Sequence, residues 1–160
     1  MGKAFVYGDD INTDVIFPGK YTYTITERRD MAQYAMEDLD ATFRTRVQPG
    51  DIIVAGKNFG CGSSREQAVI CLTELGIKAV VADSFARIYF RNAINQGLPV
   101  IVIKGAKDLI RNGEDIEIDL SNGKLKTASG EYSFPALNPE VQEILDAGGL
   151  VPYTKKKLGI

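Results

Sequence analysis

The stretch Gly56-Lys57-Asn58-Phe59-Gly60-Cys61-Gly62-Ser63-Ser64-Arg65-Glu66 gathers the residue types best suited to chemistry. Three glycines let a backbone approach a ligand closely. Ser63 and Ser64 offer two short hydroxyls, and Arg65 adds a planar fork matched to a carboxylate or phosphate. A helix starting here would turn its free N–H groups and dipole towards an anion. The residues therefore point to a small-anion site. A plainer reading stays open, in which the glycines shape a turn and Ser63 caps a helix, because Ser63-Ser64-Arg65-Glu66 fits the capping-box pattern. A phosphate-binding P-loop is disfavoured, since it needs a lysine where Gly62-Ser63-Ser64 has none.

Other chemistry is sparse. The chain has no histidine and two cysteines, Cys61 and Cys71. Two thiols cannot supply the usual four ligands of a zinc or iron–sulfur site. Reactions needing imidazole or a cluster must be completed by another chain. Cys61 reads as a small steric residue, although a thiol at a helix N-terminus gains reactivity. Asp9, Asp10 and Asp14 lack the even spacing of an EF-hand. Arg87 and Arg91, one turn apart, either face a partner or form a solvated surface.

The elements that must position these residues follow from apolar patterning. Lys3–Tyr7 reads as a strand and residues 8–18 as a polar loop. Tyr21–Thr26 is a strand or an exposed loop. Met31, Ala35 and Leu39 recur at helical spacing and predict a short helix over Glu27–Asp38. Asp51–Ala55, Lys78–Ala82 and Pro99–Ile103 are buried strands. Between them fall helices from Ser64 to about Leu75, with Ser63 as cap and Gly76 as stop, and from a cap at Asp83 or Ser84 to about Asn95. The order β-α-β-α-β predicts parallel strands with crossover helices. Beyond it, Asp115–Leu120, the turn Ser121-Asn122-Gly123 and Lys124–Phe134 predict a β-rich appendage. Asn138–Ala147 reads as a last helix, with Asn138 as its cap and Pro139 in its first turn.

With 160 residues, 44% of them hydrophobic and 25% charged, the chain suits one α/β domain over residues 1–160. A net charge of -2 with no large basic block argues against a nucleic-acid surface. Lys155-Lys156-Lys157 reads as a solvated tail. No apolar run reaches the roughly 18 residues of a membrane span, and the N-terminus shows no signal-peptide pattern. The expected location is cytoplasmic, with no membrane partner.

Asn58-Phe59-Gly60-Cys61-Gly62-Ser63-Ser64-Arg65-Glu66 resembles the signature of the aconitase swivel domain and of isopropylmalate dehydratase small subunits. Asn12-Thr13-Asp14-Val15-Ile16-Phe17-Pro18-Gly19 resembles that family's N-terminal motif. Ser84-Phe85-Ala86-Arg87-Ile88-Tyr89-Phe90-Arg91-Asn92, followed by Gln96-Gly97-Leu98-Pro99, resembles its second strand–helix unit. The motifs stand in the family's order over most of the chain. The resemblance implies a swivelling β/β/α fold and a larger partner subunit that holds a 4Fe-4S iron–sulfur cluster, none being bound by this chain. It implies a hydro-lyase that shifts a hydroxyl on a dicarboxylate by dehydration and rehydration, active only with both subunits. Ser63 then matches the catalytic base, Ser64 and Arg65 match groups holding substrate carboxylates, and Asp14 matches an aspartate of the active-site loop.

One departure bears on substrate. Relatives acting on a third carboxylate carry an arginine in a Tyr-Leu-Arg-Thr pattern, and the matching residues here are Tyr21-Thr22-Tyr23-Thr24. A phenol cannot neutralise a carboxylate but can pack on an alkyl group. Thr22, Tyr23 and Thr24 are therefore expected to read the variable substituent. The expected substrate is isopropylmalate, in leucine biosynthesis, rather than citrate or homocitrate. A methylated malate such as 2,3-dimethylmalate, or in another class a stand-alone anion-binding module, remains the alternative. Gln67 stands where many relatives have histidine.

Overall fold

The computed structural model describes residues 1–160. Along the chain, β1 (Gly2–Val6) leads to a one-turn helix α1 (Thr13–Ile16), then α2 (Arg28–Met31) and α3 (Phe43–Arg46). β2 (Ile52–Ala55), α4 (Gln67–Glu74), β3 (Ala79–Ala82), α5 (Arg87–Asn95) and β4 (Val100–Val102) form the expected β-α-β-α-β unit. After α6 (Ala106–Leu109) come β5 (Asp115–Asp119), β6 (Lys124–Thr127), β7 (Gly130–Ser133), α7 (Pro139–Asp146) and α8 (Leu150–Leu158).

All seven strands form one sheet in the order β4-β3-β2-β1-β5-β6-β7. β1 through β4 pair in parallel, Phe5 opposite Ile53, Ile53 opposite Val80 and Val80 opposite Val100. β1 pairs antiparallel with β5, and β5, β6 and β7 form an antiparallel meander. In β2, Ile53 and Ala55 point to one face, and Ile52 and Val54 to the other, all fully buried. That explains an unbroken apolar run where a half-exposed strand would alternate. One face packs on α4 and α5 through Ala68, Val69, Leu72, Tyr89 and Ala93, together with Phe17, Met31 and Phe43 from the loop helices. The other is covered by Ala106, Ile110, Ile116, Leu125 and Phe134.

Three local expectations are corrected, and the choice left open at Tyr21–Thr26 falls to turns. The helix expected over Glu27–Asp38 is broken into α2 and a 3-10 turn over Ala32–Tyr34. Met36 takes a φ of 61°, its side chain is fully buried and its N–H donates to the Ile16 carbonyl at 2.7 Å, so tertiary contacts override the helical pattern. Residues 19–26 contain no strand; Gly19–Tyr21 is a 3-10 turn. Neither Asp83 nor Ser84 caps α5, whose N-cap is Ala86. The Asp83 carboxylate accepts from Gly105 N–H, and the Ser84 hydroxyl accepts from Asn58 N–H. The three terminal lysines lie on α8, a helix hidden from pattern reading by the Gly148-Gly149 break ahead of it. Asn138 does cap α7, accepting from Val141 N–H at 2.9 Å.

Candidate active site

The loops leaving the C-terminal ends of β1, β2 and β3 meet, as expected for ligand sites in open parallel sheets. The loop after β2 is tied down at several points. Phe59 N–H donates to Ser84 O, Ala86 N–H to Phe59 O, and Gly60 N–H to Ile11 O. The Phe59 ring is fully buried, edge-on to Phe85 and Tyr89. Gly60, at φ 84°, has no room for a side chain, because a Cβ there would collide with the Tyr89 ring. Thr13, itself buried, accepts from no one in this loop but donates its hydroxyl to Ser63 O at 2.9 Å and takes Cys61 O on its N–H at 2.8 Å.

This anchoring overturns one sequence expectation. α4 starts at Gln67, and Glu66 is its N-cap without a side-chain bond. Ser63 therefore caps nothing, and the capping box is not formed. Gly60 and Gly62 sit at positive φ, and Thr13 claims the Ser63 carbonyl, so the chain cannot enter a helix until four residues later. Ser63 and Ser64 are left exposed. They line a cleft of about 210 Å³ with Thr13, Gly62, Arg65, Arg87, Ile88 and Asn92. The helix opening on this cleft is α5, whose first turn contributes Arg87, Ile88 and Tyr89 and whose N-cap, Ala86, has no capping side chain. The helix-end preference for an anion thus comes from α5, not α4.

Arg65 is only 12% exposed. Its Nη1 donates to Thr22 Oγ1 at 2.9 Å, and its Nη2 to Asp14 Oδ1 at 2.9 Å and Phe17 O at 2.8 Å. Its Nε is buried without a partner. The structure thus brings together Ser63, Ser64, Arg65, Asp14 and Thr22, residues from three separate stretches of chain. It leaves Tyr23 (93% exposed) and Thr24 outside the cleft. Gln67, to which the sequence reading gave no role, donates from Nε2 to Thr22 O at 2.9 Å and Ile25 O at 3.0 Å. Its position directly behind Ser-Ser-Arg-Glu was the available signal.

The cleft holds hydroxyls, guanidiniums and an amide, but no carboxylate or imidazole lines it. Burial, and next the Asp10 charge, push the Cys61 thiol above its ordinary pKa. Burial raises Cys71 further. Neither is the low-pKa thiolate that makes a cysteine reactive. No three His, Cys, Asp or Glu side chains group as a metal site. The chain's own donors therefore do not fit an iron–sulfur cluster. No helix is long and apolar enough to cross a membrane.

An α/β domain whose glycine-shaped loops present hydroxyls and guanidiniums around one cleft is equipped to hold a small anion. The aconitase C-terminal domain family matches residues 10–105, and the chain belongs to that family. It is 45% identical to the 3-isopropylmalate dehydratase small subunit of Thermodesulfovibrio yellowstonii, over 99% of this chain and 95% of that one. It is 46% identical to the isopropylmalate/citramalate isomerase small subunit of Methanocaldococcus jannaschii, over 98% and 94% of the two chains. A crystal structure of 3-isopropylmalate dehydratase from Methanocaldococcus jannaschii superposes with a TM-score of 0.92 at 46% identity, covering 98% of this chain and 93% of that one. The mixed α/β swivel fold inferred from the sequence is the fold observed.

Proposed function

We propose that this chain is the small subunit of a two-subunit hydro-lyase that converts 2-isopropylmalate to 3-isopropylmalate by dehydration and rehydration, in leucine biosynthesis. The observation that carries the reading is near-full-length similarity to small subunits of that name. The cleft built from the same motifs supports it.

Within this reading Ser63 is the base that takes the proton next to a carboxylate. A serine hydroxyl is a weak base at neutral pH and needs activation. Arg65 nearby and the uncapped start of α5 favour an alkoxide, but a helix end contributes only about 1 kcal/mol. The remaining activation belongs to a larger partner, and so do the acids, histidines and 4Fe-4S cluster that this chain does not supply. Ser64 and Arg65 meet substrate carboxylates, Asp14 orients Arg65, and the Thr22–Thr24 segment reads the variable substituent. With Asp14 on one side of its fork, Arg65 acts chiefly by holding the loop and the carboxylate in fixed relation. The proposed compartment is the cytoplasm, in keeping with two free thiols in a reducing environment.

A broader malate-type range is a second reading, favoured by the Methanocaldococcus relative whose name includes citramalate. Both readings make the same first prediction. The chain purified alone is colourless, free of iron and inactive, and used as bait it recovers a larger iron–sulfur protein in fixed ratio. A brown preparation in which this chain itself holds iron would contradict both.

A further inference from the structure

We propose that Gln67 is a positioning residue that sets substrate selectivity by fixing the backbone of the Thr22–Ile25 segment. The inference rests on the reading of that segment as the part that meets the variable substituent.

Gln67 is the first residue of α4, a helix whose next five residues are buried in the core. Its Cα is therefore held by a helix anchored in the core. The amide reaches across to two carbonyls, Thr22 O at 2.9 Å and Ile25 O at 3.0 Å. Neither carbonyl has another hydrogen-bond partner in the protein. Both neighbours are acceptors, so the amide nitrogen must face them. Arg65 also holds this segment, through Thr22 Oγ1, and ties it to Phe17 O ahead of it. Local bonds complete the turn, with Thr22 N–H on Gly19 O and Ile25 N–H on Tyr21 O, and the Tyr21 ring stacks 4.2 Å from Tyr34. The outcome is a clamped backbone with one large side chain, Tyr23, projecting into solvent. Clamping on both sides of Tyr23 makes sense if the projection must arrive in one position, since a site held to within a fraction of an ångström loses little entropy on binding.

Gln67→Met keeps the length of the side chain and removes both donors. Gln67→Glu sets a carboxylate against the two carbonyls. In either variant, amides of residues 22–25 should exchange about tenfold faster in the isolated chain, the scale set by two neutral hydrogen bonds. α4 amides should stay protected, which reports an intact fold. In the enzyme reconstituted with a cluster-bearing large subunit, the ratio of kcat/KM for isopropylmalate over citramalate should fall by about tenfold. The loss should lie in KM, with kcat little changed, as for lost uniform binding. Unchanged exchange at residues 22–25 in both variants overturns the proposal. So does faster exchange with an unmoved ratio when Tyr23→Arg does move it. If neither Gln67→Met nor Tyr23→Arg moves the ratio, the reading of the segment as selector fails with it.

Discussion

β1 divides the sheet into two unlike halves. On its parallel side, strands β2 and β3 are buried on both faces, and the loops after β1, β2 and β3 converge on one cleft. On its antiparallel side burial is one-sided and thins outward: β5 buries Ile116 between exposed neighbours, β6 buries only Leu125, and β7 buries no residue fully. Their outer face is a lattice of charges, Glu117, Asp119, Lys124, Lys126 and Glu131, joined by the hairpin turn at Ser121-Asn122-Gly123. The first half spends its strand ends on loops that no local rule would stabilise, such as a positive-φ stretch through Asn58, Gly60 and Gly62. The second uses ordinary turns. The lesson is that an irregular, chemically equipped loop needs a frame packed on both sides, whereas a meander with one wet face needs only to shield the back of that frame. Leu125 and Phe134 do that shielding, in one buried cluster with Val54, Val81 and Ile101.

The contrast is broken most sharply at Ser63. Ser63→Ala should lower turnover of the reconstituted enzyme by about a hundredfold or more, the scale of a lost general base. Because Ser63 is exposed and caps nothing, stability should change by less than about 0.5 kcal/mol. Steady-state kinetics and thermal unfolding check the two halves of the statement. Large turnover in the variant would reduce Ser63 to a bystander. The opposite pattern is expected across the sheet. Leu125→Ala empties a fully buried site and should cost about 2–5 kcal/mol of stability, with kcat per folded molecule unchanged. A change in kcat would mean that the appendage takes part in catalysis.

Tyr23→Arg tests the rim of the site. Arginine meets a γ-carboxylate that tyrosine leaves without a counter-charge, while the isopropyl group loses an apolar wall. The ratio of kcat/KM should shift towards homocitrate, with isopropylmalate weakened by some tens of fold. The smallest effect belongs to the appendage. The Glu114 carboxylate accepts from Arg111 N–H and from the Ser129 hydroxyl, and backbone bonding at Arg111 first, then Ser129, holds its pKa down to about 2 from an ordinary 4.5. A carboxylate depressed by folding stabilises above its ordinary pKa and loses that contribution as pH falls from about 4.5 towards 2. Glu114 lies at the surface, only partly exposed, and solvent screens the effect to a small one. The Tm difference between wild type and Glu114→Gln should shrink on acidification through this window, and a constant difference would contradict it.

The parallel unit and the hairpin were legible because their signals are local: apolar runs of strand length, with glycines and Asn-Gly where the chain turns. The Ser63-Ser64-Arg65 cluster was legible for the same reason. What escaped was set at a distance. Ser63-Ser64-Arg65-Glu66 satisfies the capping pattern, yet Thr13, fifty residues earlier, holds the Ser63 carbonyl and delays the helix. The fork of Arg65 looked free to meet a substrate, but its partners Thr22 and Asp14 lie 43 and 51 residues away. Met36 ended a helix whose spacing ran through it, because its N–H is owed to Ile16 O. Gln67 was flagged only by its place behind Ser-Ser-Arg-Glu, and its partners Thr22 and Ile25 lie 45 and 42 residues away.

In the proposed enzyme the parallel half of this chain supplies one side of an isopropylmalate-isomerising site and another subunit supplies the other. Turnover of 2-isopropylmalate by the chain alone, by a cluster-bearing large subunit alone and by the two mixed tests it most directly. Activity is expected only in the mixture, rising with added chain until the large subunit is saturated. Activity from either protein by itself, or none from a mixture that demonstrably assembles, would contradict it.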